Sequence, residues 1–269
     1  MKSISSAENS HFKRWLRLSE SPRELRTQRL TLAEGPHLAD AIHASGHPVA
    51  AVLVRRKAQR AEVLQWIETF TAANVPAYEL AAALFDRLAP VERSSGLLLL
   101  IPLAEKAPPP PPGDALFLDG VQDPGNAGAL LRVAAAAGVR SVLAAPGTVA
   151  LWSPKVLRGA QGAHFRLHLS EDVPSGSVRT LRPMPWVGAA AHEGEPLWSL
   201  SFAGDPVGLM VGSEGGGLSP EALAGCDRRV TIPLASGVES LNVASAAAIF
   251  LFERRRQMQV LRAQRLLSA

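Results

Sequence analysis

Residues 118–132 read LDGVQDPGNAGALLR, and residues 232–248 read IPLASGVESLNVASAAA. Each begins as a short apolar run, passes into a loop of small and polar residues, and ends in an alanine-rich stretch that can form a helix. The loop residues are Asp123, Pro124, Gly125, Asn126 and Gly128 in the first stretch, and Ser236, Gly237, Glu239, Ser240 and Asn242 in the second. Between them, residues 207–220 read VGLMVGSEGGGLSP, a third apolar run that opens into a glycine loop. An α/β protein displays backbone amides and short side chains in this way at the carboxyl ends of its strands, where ligands bind. Three such junctions predict one composite site.

Around these blocks the second half alternates strand, loop and helix. Strands are expected at 115–118, 141–144, 166–169, 186–190, 207–211 and 229–232, and helices at 128–137, near 155–159 and from 241 onward. That pattern predicts a mostly parallel sheet with helices on both faces. Residues 107–113 read APPPPPG, and five prolines in a row favour a stiff polyproline II spacer. We therefore expect a smaller domain over residues 1–106, a linker over 107–113 and a motif-bearing domain over 114–269. The first domain alternates as well: strands at 29–33, 49–54 and 96–101, and helices at 37–44 and 61–73, predict a small α/β unit.

Composition excludes more than it assigns. The longest apolar runs are about half of the roughly 20 residues that a membrane-spanning helix needs. The first residues, MKSISSAENSHFKRWLRL, lack the continuous apolar core of a secretory signal. The single cysteine, Cys226, has no disulfide or CxxC partner, so a buried small side chain in a reducing, cytoplasmic setting is expected. The seven histidines show no metal-ligand spacing, and GSEGGG has neither the lysine of a P-loop nor the spacing of a dinucleotide fingerprint. No metal is expected. A formal net charge of +4, carried mostly by arginine, is a mild pointer to a polyanion such as RNA.

With these residues in view, the chain resembles the SpoU (TrmH-type) RNA ribose 2′-O-methyltransferases of the SPOUT class. The first family motif is matched by Asp123, Pro124, Asn126, Gly128 and Arg132, the second by Gly212, Ser213, Glu214, Gly215 and Gly217, and the third by Ile232, Pro233, Ser240, Leu241, Asn242 and Val243. A further family-like stretch, SPKVLRGAQGAHF, spans 153–165, so the resemblance covers roughly 115–252. Leu234 stands where methionine is frequent, a volume-conserving exchange. The resemblance implies a trefoil knot near the carboxyl end, which the alternation alone would not suggest. It also implies S-adenosylmethionine as cofactor, a homodimer paired through the knot region, and an L30e-like fold for the substrate-binding first domain.

The resemblance assigns roles residue by residue. Asn126, Arg132, Glu214, Ser240 and Asn242 would form the catalytic set. The backbone around Gly212, Ile232, Leu234 and Leu241 would hold the cofactor, with Ala189, Ala190 and Ala191 as a further wall. Moving a methyl group from a sulfonium to a hydroxyl needs in-line placement and a better nucleophile, and positioning supplies much of the rate. A guanidinium is a poor base in isolation. Two roles for Arg132 therefore stay open, activation of the ribose oxygen or stabilisation of its developing charge.

From residue type alone the same positions have plainer readings. Asn126 would be a helix amino cap, contributing about 1 kcal/mol. Arg132 would be a helix arginine paired with an acid such as Asp123, and Glu214 a loop acid facing water or, by resemblance, a partner of Arg132 or the substrate. Lys13, Arg14 and Arg17 share a predicted helix with Trp15 and His11. They form either an RNA face with a ring for base stacking or a solvated amphipathic helix with Trp15 inside. The arginines at 254–256, 262 and 265 end a long carboxyl-terminal helix whose apolar first half must be buried. They read as an RNA-touching end or a solvated face.

Three functions follow: a ribose methyltransferase acting on ribosomal RNA or, alternatively, transfer RNA; a non-catalytic RNA-binding or ribosome-assembly factor of the same fold; and a base-modifying SPOUT enzyme, which SLNVA disfavours. Among ribosomal RNAs, 23S is the expected target, on resemblance. The nucleotide modified, and whether the first domain reads sequence or shape, are not encoded in these patterns.

Overall fold

The computed structural model describes residues 1–89, 94–103 and 110–267. Residues 107–109, part of the expected linker, lie outside them. In chain order the elements are β1 (Lys2–Ile4), α1 (Ser10–Glu20), α2 (Pro22–Gln28), β2 (Leu30–Glu34), α3 (Pro36–Ser45), β3 (Ala51–Arg55), α4 (Ala61–Ala72), β4 (Ala77–Leu80), α5 (Ala82–Leu88) and β5 (Leu97–Pro102). There follow β6 (Ala115–Asp119), α6 (Pro124–Ala137), β7 (Ser141–Ala144), α7 (Pro154–Ala160), β8 (His168–Ser170), α8 (Val178–Leu181), β9 (Trp186–Ala189), β10 (Glu195–Pro196), β11 (Gly208–Gly212), α9 (Pro220–Ala224), β12 (Arg228–Thr231) and α10 (Val243–Leu267). Among the described residues no helix is long and apolar enough to cross a membrane.

The chain divides into two units. The first comprises Met1–Lys106 with Trp152–Phe165, and the second Ala107–Leu151 with Arg166–Ala269. In the first, a five-stranded mixed sheet has the order β1-β4-β3-β5-β2. Leu97, Leu98, Leu99 and Ile101 of β5 are all buried, so successive side chains must enter cores on opposite faces. One core gathers Phe12, Trp15 and Leu18 of α1 with Leu84, Phe85 and Leu88 of α5. The other gathers Leu38 and Ile42 of α3, Val63 and Phe70 of α4, and Leu157 of α7. The excursion 152–165, which sequence alone places among the methyltransferase motifs, therefore packs with the first unit. Thr31 fastens it by donating from Oγ1 to the Trp152 carbonyl at 2.7 Å.

Seven strands make up the sheet of the second unit, in the order β10-β12-β9-β11-β6-β7-β8, with every pairing parallel. β6, β7 and β11 are buried throughout, as central strands covered on both faces must be. α6 and α10 pack on each other. Another core joins Phe117, Trp186 and Met210 to Val178 of α8 and Ala222 of α9. Full burial of one such large apolar side chain contributes about 2 kcal/mol. Arg182 holds the end of the proline run against this unit, donating to the carbonyls of Pro110 at 3.2 Å, Pro111 at 2.6 Å and Gly113 at 2.5 Å.

Of the two arginine-rich regions, one departs from the plain expectation of exposed charge and the other follows it. Arg254 is buried, 3% exposed, because its guanidinium bonds Asp114 at 3.0 and 3.1 Å and the Asp205 carbonyl at 2.9 Å. It is therefore not part of a basic RNA-facing end. In α1, Trp15 is 2% exposed and packs inward, so it offers no ring for base stacking. Lys13, Arg14 and Arg17 lie exposed on the opposite face; Lys13 pairs with Glu8 and Arg14 donates to Gln28 Oε1 at 2.6 Å.

Candidate functional site

The parallel order places the carboxyl ends of β6, β9, β11 and β12 along one rim of the second sheet. From β6 the chain leaves towards β7, whereas from β11 it leaves towards β12 on the other side. Neighbouring strands whose connections diverge leave a crevice between their loops. The loop that follows β6 runs into the first turn of α6, which carries Asn126, and the loop that follows β11 carries Glu214.

Local chemistry fixes the first loop. Pro124 starts α6, its missing N–H costing nothing at the first helical position. That places Asp123, not Asn126, at the amino cap: Asp123 Oδ1 accepts from the Asn126 N–H at 2.7 Å. Gly125 leaves room for the capping carboxylate, since a Cβ there would lie 2.9 Å from Asp123 Oδ1. Asn126 is relieved of capping, and its side chain turns towards the other loops. Its Nδ2 donates to Glu214 Oε1, and its Oδ1 accepts from Asn242 Nδ2 at 2.8 Å. Asn242 in turn caps α10, its Oδ1 accepting from the N–H groups of Ala244 at 3.0 Å and Ser245 at 3.2 Å.

The glycine loop after β11 is pinched at its base. Ser213 and Gly217 exchange backbone hydrogen bonds at 2.9 and 3.1 Å, which leaves Glu214 near the tip. A Cβ on Gly212 would lie 2.0 Å from the Gly217 carbonyl, so only glycine allows this closure. Asp119 anchors the far side: this buried acid accepts from the Ser219 N–H at 2.6 Å and from Ser175 Oγ at 3.1 Å.

Beside this junction lies a cavity of about 590 Å³, within the range of small-ligand sites. Its walls are residues 189–192 after β9, 211–217 at the end of β11, Val230, Ile232, Leu234, the segment 239–243, and Ala246 and Phe250 of α10. All seven residues that the family resemblance would place around a cofactor line it, namely Ala189, Ala190, Ala191, Gly212, Ile232, Leu234 and Leu241. Glu214, Ser240 and Asn242 line it too, and Asn126 is joined to it through Glu214 and Asn242.

Arg132 stands apart. It is exposed on α6 and absent from the cavity walls, and among the described residues its guanidinium pairs with neither Asp123 nor Glu214. Glu214 is engaged by Asn126 instead. Sequence reasoning overlooked His192, Val211, Glu239, Ala246 and Phe250 as wall residues. The last two were legible, because Val243, Ala246 and Phe250 recur at helical spacing and so share one face of α10. Among the described residues no group of three or more metal-ligating side chains assembles. Cys226 is half-buried behind β9, where burial foremost, and then Asp227, push its thiol up to about 11.

Comparison with known proteins adds to this geometry. The family described as SpoU rRNA Methylase matches residues 115–252. The chain is 30% identical over 257 residues to the 23S rRNA (guanosine(2553)-2′-O)-methyltransferase RlmP of Bacillus subtilis, covering 95% of this chain and 100% of that one. A crystal structure of an RNA 2′-O ribose methyltransferase superposes with a TM-score of 0.78 at 30% identity, covering 95% of this chain and 98% of the other. The SpoU methyltransferase AviRb of Streptomyces viridochromogenes, solved with AdoMet, shares the fold with a TM-score of 0.78 at 24% identity, covering 93% and 98%.

Proposed function

This chain belongs to the SpoU rRNA methylase family, and from that premise we propose that it methylates a ribose 2′-hydroxyl in RNA, with S-adenosylmethionine as methyl donor and 23S rRNA as substrate class. One observation carries the reading: Asn126 in the first turn of α6, Glu214 in the loop after β11 and Asn242 at the start of α10 meet in one hydrogen-bonded row at the edge of a 590 Å³ cavity. The most similar full-length relative described above acts on a ribose of 23S rRNA, which supports the same substrate class.

The residues present fit such a cofactor. Ala189, Ala190, Ala191, Ile232, Leu234 and Leu241 supply apolar surface, and the segments 189–191 and 212–217 bring main chain to the cavity wall beside a nucleoside. When bound, the cofactor supplies an electrophilic methyl group on a sulfonium. The chain's own part is positional. The amide row holds Glu214 and Asn126 in fixed orientation beside the cavity, and Ser240 stands at its rim. A guanidinium near the target stabilises negative charge developing on the ribose oxygen, which is the part assigned to Arg132. Because Arg132 lies outside the cavity of its own chain, we assign it to the cavity of a second copy, in a homodimer paired through the knot region. Exposed Phe252 on α10, 46% accessible, supports such pairing.

The trefoil knot, the L30e-like character of the first unit, its use of Lys13, Arg14 and Arg17 on RNA, and a cytoplasmic location belong to the same proposal. Its test is incubation of the chain with S-adenosylmethionine and an unmodified 23S rRNA transcript, followed by nucleoside mass spectrometry. A 2′-O-methylnucleoside is expected; a base-methylated nucleoside, or none, overturns the reading.

A further inference from the structure

The charge of the cavity wall is opposite to that of the chain. The protein has 28 lysines and arginines against 24 acids, yet among the described residues the wall contains two carboxylates, Glu214 and Glu239, and neither a lysine nor an arginine. The two acids differ in circumstance. Glu214 accepts a hydrogen bond from Asn126, whereas the Glu239 carboxylate has no hydrogen-bond or ion-pair partner among the described residues.

The loop that bears Glu239 is turned in an unusual sense. A turn closed by the Val238 N–H on the Ala235 carbonyl at 3.2 Å, with Gly237 at φ 84°, sets the direction of the next residues. Val238 is 50% exposed, and the next residue, Glu239, lines the cavity while remaining exposed to solvent. An uncompensated carboxylate on a partly enclosed wall raises the affinity for a cation more than for a neutral ligand of the same shape.

We propose that Glu239 is a specificity-determining residue that makes the cavity favour a sulfonium cofactor over its neutral thioether product. This rests on the methyltransferase reading given above. A sulfonium cofactor carries one positive charge more than S-adenosylhomocysteine, and the two are otherwise nearly the same shape. The preference therefore reports charge rather than fit. It gives the site a means of releasing product, since the spent cofactor loses the attraction that held its precursor.

The test is calorimetric binding to the full-length protein at pH 8. The ligands are S-adenosylmethionine, S-adenosylhomocysteine and sinefungin, whose protonated amine replaces the sulfonium methyl. Glu239→Gln is expected to weaken S-adenosylmethionine and sinefungin by about three- to tenfold relative to S-adenosylhomocysteine, a size suited to an exposed, screened charge. Raising salt from low to high should narrow the wild-type preference in the same direction, a measurement that does not depend on the variant folding. Equal weakening of all three ligands, or an unchanged ratio with unchanged salt response, overturns the proposal and leaves the methyltransferase reading intact. Failure of the wild type to bind any of the three overturns both.

Discussion

Asn242 Nδ2 donates to Asn126 Oδ1 at 2.8 Å, and the other end of the same Asn242 amide is fixed by the helix it caps. The amino end of α10 offers only donors, so Asn242 must turn its oxygen to the helix and its nitrogen to Asn126. Asn126 must then turn its own nitrogen to Glu214. The polarity of the row is thus set by a helix terminus and passed through two amides to a carboxylate at the cavity.

Asn242→Asp isolates that relay. Aspartate caps a helix as well as asparagine does, but it cannot donate to Asn126. We expect thermal stability within about 1 kcal/mol of wild type and methyl transfer reduced roughly 3- to 10-fold, the equivalent of one hydrogen bond between neutral groups. Asn242→Ala should lose activity to a similar degree and a further ~1 kcal/mol of stability. Melting curves and initial rates measured side by side separate the two effects.

Arg254 and Asp114 form a buried pair in which the Arg254 side chain is 4% exposed and the Asp114 side chain 23%. Removing one partner leaves the other charged and poorly solvated. Arg254→Met should lower unfolding stability by about 3 kcal/mol, and Arg254→Met with Asp114→Ala should lower it by less than Arg254→Met alone. Urea unfolding of the three proteins decides this.

Asp227 accepts from the Trp186 N–H at 2.7 Å and from Arg179 at 2.8 Å. Burial pushes its carboxyl up, but these hydrogen bonds and the Arg179 charge outweigh it and hold the group below its ordinary value. A depressed acid contributes stability that is fully present above its unfolded pKa and lost as pH falls through the folded value. The stability gap between wild type and Asp227→Asn should therefore be constant near neutrality and shrink below about pH 4, as read from urea midpoints at several pH values.

Cys226 should be slow to react. With its thiol pushed up to about 11, its thiolate fraction at pH 8 is about 100-fold below that of a free cysteine. Iodoacetamide should label it slowly in the folded protein and rapidly in urea, as mass spectrometry would record.

The centre of the second sheet is legible because β6, β7, β9 and β11 are short, largely apolar runs that lead into loops, and that pattern is local. The site was legible in part for the same reason: strand-end loops converge whenever their strands are parallel neighbours. Asn126 reads as the cap by residue type, but the cap is Asp123, and the sequence carries the signal for it. Asp-Pro places proline at the first helical turn and aspartate at the cap. The Arg254–Asp114 pair had no local signal, since its members are 140 residues apart. Nor did the docking of 152–165 with the first unit, which depends on apolar side chains such as Leu157 finding the core around Leu38 and Ile42. Short elements such as β1, β4 and β10 were missed because two to four residues carry too little periodicity to register.

The central claim is tested most directly by transfer of labelled methyl from S-adenosylmethionine to unmodified 23S rRNA, comparing wild type with Arg132→Ala. Arg132 is exposed and has no ion-pair partner among the described residues, so the substitution should leave stability within about 0.5 kcal/mol. The account predicts label in alkali-resistant dinucleotides with the wild type and its loss with Arg132→Ala, while cofactor binding persists. Alkali-resistant label undiminished in Arg132→Ala, or its absence with a wild type that binds both cofactor and RNA, would contradict it.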